Sequence, residues 1–83
     1  MTPEMYEMLI AARTDGLSAV PKDGGAVAWG SLDLRGMKQA DRERVGNIAL
    51  ERGLIAFGER LVGQNACRVV LTDAGRELLA REE

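Results

Sequence analysis

The sequence has no histidine and a single cysteine among its 83 residues. Without histidine the chain lacks the commonest general base, the commonest metal ligand and the Ser–His and Cys–His nucleophile pairs. The lone Cys67 excludes an internal disulfide and any cysteine-based zinc site, and it fits the cytoplasm better than an oxidising compartment. Lysine is scarce too: only Lys22 and Lys38 are present, both in polar surroundings. Asp41 and Glu43 are close in sequence but point to different faces of a helix, so they make no working carboxylate pair. No apolar run approaches the roughly 18 residues that a membrane span needs. The first residues, Met1-Thr2-Pro3-Glu4, are acidic and do not resemble a signal peptide. These absences argue against an enzyme, against a metal or organic cofactor and against a membrane protein. A binding role is left.

What is present fits one small domain over residues 1–83, with 46% hydrophobic and 29% charged residues. A domain of this size buries only about 60% of its unfolded surface, so its core is thin, and a homodimer or another partner would supplement it. The net charge of −2 is unevenly distributed: residues 1–34 carry −3, residues 35–68 carry +3 and residues 69–83 carry −2. A basic middle between acidic ends points to a surface for a polyanion, and an ordinary solvated surface is the competing explanation.

Thr2-Pro3-Glu4 reads as a helix start, with Met5, Met8, Leu9 and Ala12 at helical spacing and Asp15-Gly16 as the stop, so a first helix is expected over about residues 3–14. Residues 15–25, with Gly16, Pro21, Gly24 and Gly25, are expected to be a loop. Gly24-Gly25 is not a phosphate loop, because no Gly-Lys-Ser/Thr follows. Ala26 to Trp29 reads as a brief strand, with Trp29 as a core anchor. Ser31 is placed to cap a short helix over Leu32 to Arg35. A longer helix is expected from Lys38 to Arg52, with Val45, Ile48 and Ala49 on its inner face and Gly53 as its stop. Gly46 weakens that helix by about 1 kcal/mol unless its backbone must approach something closely. Leu54 to Phe57 and Ala66 to Leu71 read as the strands of a hairpin turned by Gly63-Gln64-Asn65, with Glu59 near Arg68. Cys67, Val69 and Leu71 share one strand face, which makes Cys67 a small core residue. Thr72-Asp73 then caps a last helix carrying Leu78 and Leu79.

This order of elements is that of a small α+β winged helix-turn-helix, with three to four helices and a two- or three-stranded β-hairpin wing. Leu50-Glu51-Arg52-Gly53-Leu54-Ile55 resembles the end of the recognition helix leading into the wing in MarR-type transcriptional regulators. Leu71-Thr72-Asp73-Ala74-Gly75-Arg76-Glu77-Leu78-Leu79 resembles the leucine-threonine-x-x-glycine start of the helix after the wing in the same families. The stretch from residue 48 to residue 80, which holds both motifs, covers about 40% of the chain. The resemblance implies that the helix over residues 38–52 enters a major groove of double-stranded DNA and that the hairpin over residues 54–71 touches the adjacent backbone or minor groove. Gln39, Glu43, Arg44 and Asn47 are then candidates for base contacts, with Ala40 beside them. Arg35, Lys38, Arg42, Arg60 and Arg68 are candidates for phosphate contacts.

The chain departs from the family pattern in three ways. Its wing tip, Leu61-Val62-Gly63-Gln64-Asn65, lacks basic side chains, its segment before the long helix is short and Gly-rich, and it carries no long flanking helices of the kind through which MarR proteins dimerise. An alternative is a protein-binding module on the same scaffold, such as a phage- or plasmid-encoded inhibitor of a host nucleic-acid-binding complex, docking through Leu61, Val62 and Gln64.

Overall fold

A computed structural model describes residues 1–22, 27–30, 34, 36–63 and 65–82. The elements run α1 (Pro3–Arg13), β1 (Ser18–Pro21), β2 (Val27–Gly30), α2 (Gln39–Glu51), β3 (Ile55–Arg60), β4 (Cys67–Leu71) and α3 (Asp73–Glu82). The class is α+β: three α-helices and one antiparallel sheet of order β2-β1-β4-β3 among the described residues.

Local chemistry sets the helix ends. The Thr2 hydroxyl accepts the Met5 N–H at 3.2 Å, with Pro3 at the first helical position, and this starts α1. At the other end Asp15 takes a left-handed φ of 60°. The Gly16 N–H reaches the Ala11 carbonyl at 2.9 Å and the Asp15 N–H reaches Ala12 at 3.3 Å, the paired bonds of a Schellman stop. α2 ends in the same way, with Gly53 at φ 70°, Leu54 N–H on the Ala49 carbonyl at 2.9 Å and Gly53 N–H on Leu50 at 3.0 Å. The chain therefore turns sharply out of α2 and straight into β3.

The sheet has four strands, where two or three were expected. The extra strand is β1, which lies inside the stretch read as a loop over residues 15–25. Its four residues carry too little local signal to announce a strand. They become one by pairing on both sides, Ser18 to Pro21 against Gly30 to Val27, and Ser18 and Ala19 against Arg68 and Cys67. Pro21, which has no N–H to donate, stands at the strand's end, beyond the pairing with β4. The brief strand expected before Gly30 is β2. The short helix expected over Leu32 to Arg35 lies, apart from Leu34, outside the described residues.

Side chains alternate between the two faces over most of the sheet. Ala19, Val27, Trp29, Ile55, Val69 and Leu71 are buried on one face and pack with Met8, Leu9, Leu34, Val45 and Leu79 into the core. Cys67 shares that face but is half-buried. Ser18, Val20, Ala28, Ala56, Arg68 and Val70 are half-buried on the other face. In a flat sheet the outer strands β2 and β3 would stand about 14 Å apart, three spacings of roughly 4.8 Å. Yet the Trp29 and Phe57 rings, one on each of these strands, stack with centroids 6.2 Å apart and planes 20° from parallel. The two rings therefore reach toward each other across β1 and β4, over the row in which Ala19 and Cys67 stand beside Trp29.

Gly46 of α2 rests on that indole. A Cβ at this position would lie 2.5 Å from Trp29 Nε1 and 2.8 Å from Cδ2, and closer still to Cε2. The helix interior tolerates glycine here because only a bare backbone can sit against the ring. The Trp29 Nε1–H is buried there without a hydrogen-bond partner among the described residues. Thr72 joins the end of the hairpin to the end of α2. Its hydroxyl accepts the Gly75 N–H at 3.1 Å and donates to the Gly53 carbonyl, while its N–H bonds to Leu54 at 3.1 Å. Gly75 must also lack a side chain, since a Cβ would overlap the Leu54 carbonyl oxygen and lie 2.6 Å from Leu71 Cδ1. The Leu-Thr-x-x-Gly spacing thus has a physical cause: leucine for the core, threonine for the cap, glycine for clearance.

Candidate nucleic-acid interface

α2 has an inner face of Val45, Gly46 and Ala49 and an outer face on which Gln39, Ala40, Glu43, Arg44, Asn47 and Glu51 are all exposed. The side chains expected to read bases therefore lie together on one solvent-facing stripe. Lys38 stands at the helix N-cap, exposed, and among the described residues no side chain caps the first amides. Arg44 is held by Asp41 at 3.2 Å, an exposed ion pair of the kind worth well under about 1 kcal/mol and easily exchanged for another partner.

Arg42, read from the sequence as a phosphate contact, is engaged inside the fold. It is half-buried, and its Nε donates to the Met37 carbonyl at 3.0 Å and its Nη2 to the Leu34 carbonyl at 2.6 Å. The planar guanidinium clasps the turn that leads into α2, a geometry that lysine cannot copy. Arg42 is a positioning residue for the helix.

The hairpin separates the two remaining arginines. β3 and β4 pair in register from Ile55↔Leu71 to Phe57↔Val69, and then Arg60 pairs with Cys67, so β3 holds one residue more than β4 in this interval. That bulge changes the side-chain phase. Without it Arg60 would point to the outer face. With it Arg60 shares the face of Cys67 and Phe57, the side of the sheet on which α2 packs, and it has no ion pair among the described residues. Glu59 is turned the other way and lies 3.9 Å from Arg68, as its expected cross-strand position implied. Arg68 also lies 4.0 Å from Asp15 and is on the outer face beside Ser18. It is thus remote in orientation from the α2 stripe.

At the tip, Leu61 closes the hairpin by donating its N–H to the Ala66 carbonyl at 2.8 Å and is half-buried, whereas Val62 is 99% exposed. Arg35 and Gln64 lie outside the described residues. The sequence reading overlooked Phe57, which remains 42% exposed while one part of its ring rests on Trp29. A signal for it existed: a glycine directly after an aromatic in a strand pattern marks a bulge, and a bulge re-aims its neighbours.

Among the described residues no helix is long and apolar enough to cross a membrane, and no group of three His, Cys, Asp or Glu residues is placed to hold a metal ion. No protein-family model, curated protein or solved structure matches the chain.

Proposed function

We propose that the chain is a small winged helix-turn-helix domain, MarR-like in its wing and following helix, that binds double-stranded DNA as a transcriptional regulator. In this reading the outer stripe of α2 lies in a major groove and the β3–β4 hairpin lies against the adjacent backbone. The observation that carries the reading is the β3 bulge. It turns Arg60, which has no ion pair among the described residues, to the side of the sheet on which α2 packs, while its neighbour Glu59 is turned away. Further support comes from the stiffness of α2, which is seated on Trp29 through Gly46 and clasped at its entry by Arg42, so that Gln39, Glu43, Arg44 and Asn47 are held in fixed relation to the hairpin.

Few cations serve this side: Lys38 and Arg60 are free of ion pairs among the described residues, and Arg44 is shared with Asp41. With two or three neutralised phosphates, log K should fall with log salt at a slope of about −1.8 to −2.7, roughly 12- to 42-fold in affinity between 50 and 200 mM salt. A mobility shift on duplex DNA across that range tests it. Binding with such a slope supports the proposal, and no binding at low salt, or affinity indifferent to salt, removes it.

A second reading has its own observation. Val62, 99% exposed beside Leu61 at the hairpin tip, suits a protein partner better than a phosphate backbone. A stoichiometric partner retained after nuclease treatment, and released by Val62→Ser, would favour a protein-binding module. Retention by Val62→Ser would not.

A further inference from the structure

We infer that Phe57 and Arg60 form a stacking platform for an unpaired nucleobase, with the base on the Phe57 ring and the adjoining phosphate on the Arg60 guanidinium. This goes beyond duplex binding and assigns the hairpin a single-stranded nucleic-acid ligand. Phe57 is 42% exposed although it belongs to the helix-side face of β3. Its ring does not swing freely, because it is stacked on Trp29 at 6.2 Å and 20°, and Trp29, only 3% exposed, is wedged in turn against the backbone of Gly46. An aromatic ring with a fixed orientation and open surface is what a base needs as a stacking partner, and little ordering entropy remains to be lost on contact.

The bulge supplies the rest. By inserting one residue between Phe57 and Arg60 it sets both side chains on the same face of β3, and it sends Glu59 to the opposite face to meet Arg68. The platform therefore combines a π-surface with a positive charge that has no ion pair among the described residues, and Glu59, which would repel a phosphate, faces away. At the hairpin tip, Arg60 itself borders a shallow hollow of about 520 Å³ with Leu61, Val62, Gly63 and Asn65. Apolar or proline-rich peptides would use the ring but not the guanidinium. A nucleotide uses both.

The test is fluorescence anisotropy at low salt with two labelled oligonucleotides of equal length, one of thymidines and one of abasic residues. Both present the same phosphates and only the first presents bases. The wild-type chain should prefer the thymidine strand by about five- to 150-fold, the range for one stacked base. Phe57→Leu keeps the apolar cover over Trp29 and removes the π-face, so it should abolish the preference, whereas Phe57→Tyr should keep it. Arg60→Ala should weaken both strands alike and leave the ratio unchanged. Equal wild-type binding to the two strands overturns the inference, as does a ratio that survives Phe57→Leu in a variant with wild-type circular dichroism. A duplex measured in parallel separates the two proposals. Loss of duplex binding with the thymidine preference intact sinks only the duplex reading, and the converse sinks only the platform.

Discussion

Replacing Gly46 by alanine sets two opposing effects against each other. In a solvent-exposed helix interior, Gly→Ala stabilises by about 1 kcal/mol because alanine loses less backbone entropy. Here the new methyl would lie 2.5 Å from Trp29 Nε1 and 2.8 Å from Cδ2, where carbon contacts are comfortable at about 3.5–4.0 Å. The ring must retreat by roughly 1 Å or α2 must lift by as much. Neither is easy, since the indole is stacked on Phe57 and is itself only 3% exposed within the core. Overpacking of this kind costs about 1–3 kcal/mol, and a rigid bicyclic ring belongs near the top of that range. The net expectation is a loss of about 2 kcal/mol, or a midpoint lowered by roughly 8–16 °C for a domain this small. Thermal and urea unfolding followed by circular dichroism measure it directly. The partner variant Trp29→Phe makes room at the contact, so Gly46→Ala should be less harmful in that background by at least about 1 kcal/mol. An alanine variant as stable as wild type, or strictly additive effects in the double mutant, would refute the packing argument.

Other outcomes follow from the same contacts. Thr72→Ala removes both the α3 cap and the hydroxyl bond to the Gly53 carbonyl and should cost about 1–2 kcal/mol in urea unfolding, while Thr72→Ser should recover most of it. Arg42→Ala frees the Leu34 and Met37 carbonyls and should destabilise by about 1–2 kcal/mol, and Arg42→Lys should fail to restore it because an ammonium cannot fork across both oxygens. In salt-titrated mobility shifts, Arg60→Ala should weaken all duplexes alike and reduce the salt slope by about 1, and Arg44→Ala and Asn47→Ala should alter sequence preference. Arg68→Ala, whose side chain is on the outer sheet face with Asp15 and Glu59, should leave DNA affinity almost unchanged.

The parts of the fold that were legible are those whose cause is local. Thr2-Pro3-Glu4, Asp15-Gly16, Gly53 and Thr72 start and stop helices through bonds a few residues long, and the structure puts those ends within a residue or two of the expected positions. The hairpin was readable from its alternation and its turn residues. β1 was not, because a four-residue strand between a glycine and a proline exists only through its neighbours on both sides. The site was half legible for a similar reason. A helical stripe can be projected from a 100° step, which brought Gln39, Glu43, Arg44 and Asn47 together. Whether an arginine faces solvent or a carbonyl cannot be projected that way: Arg42 turned inward to clasp a turn, and Arg68 and Arg60 were parted by one extra residue in β3. Phe57 entered only as the end of a strand, and nothing local announces a ring that is stacked on Trp29 from another strand and still open to solvent.

The most direct measurement is amide chemical-shift mapping of the isotopically labelled chain titrated with a short duplex at low salt. Shifts concentrated on Lys38 to Glu51 and on Phe57 to Val62, with Ser18, Val20 and Arg68 quiet, are predicted. Shifts confined to α1 and α3, or spread over the outer sheet face, would contradict a DNA-facing role for α2 and the hairpin, and so would an unchanged spectrum.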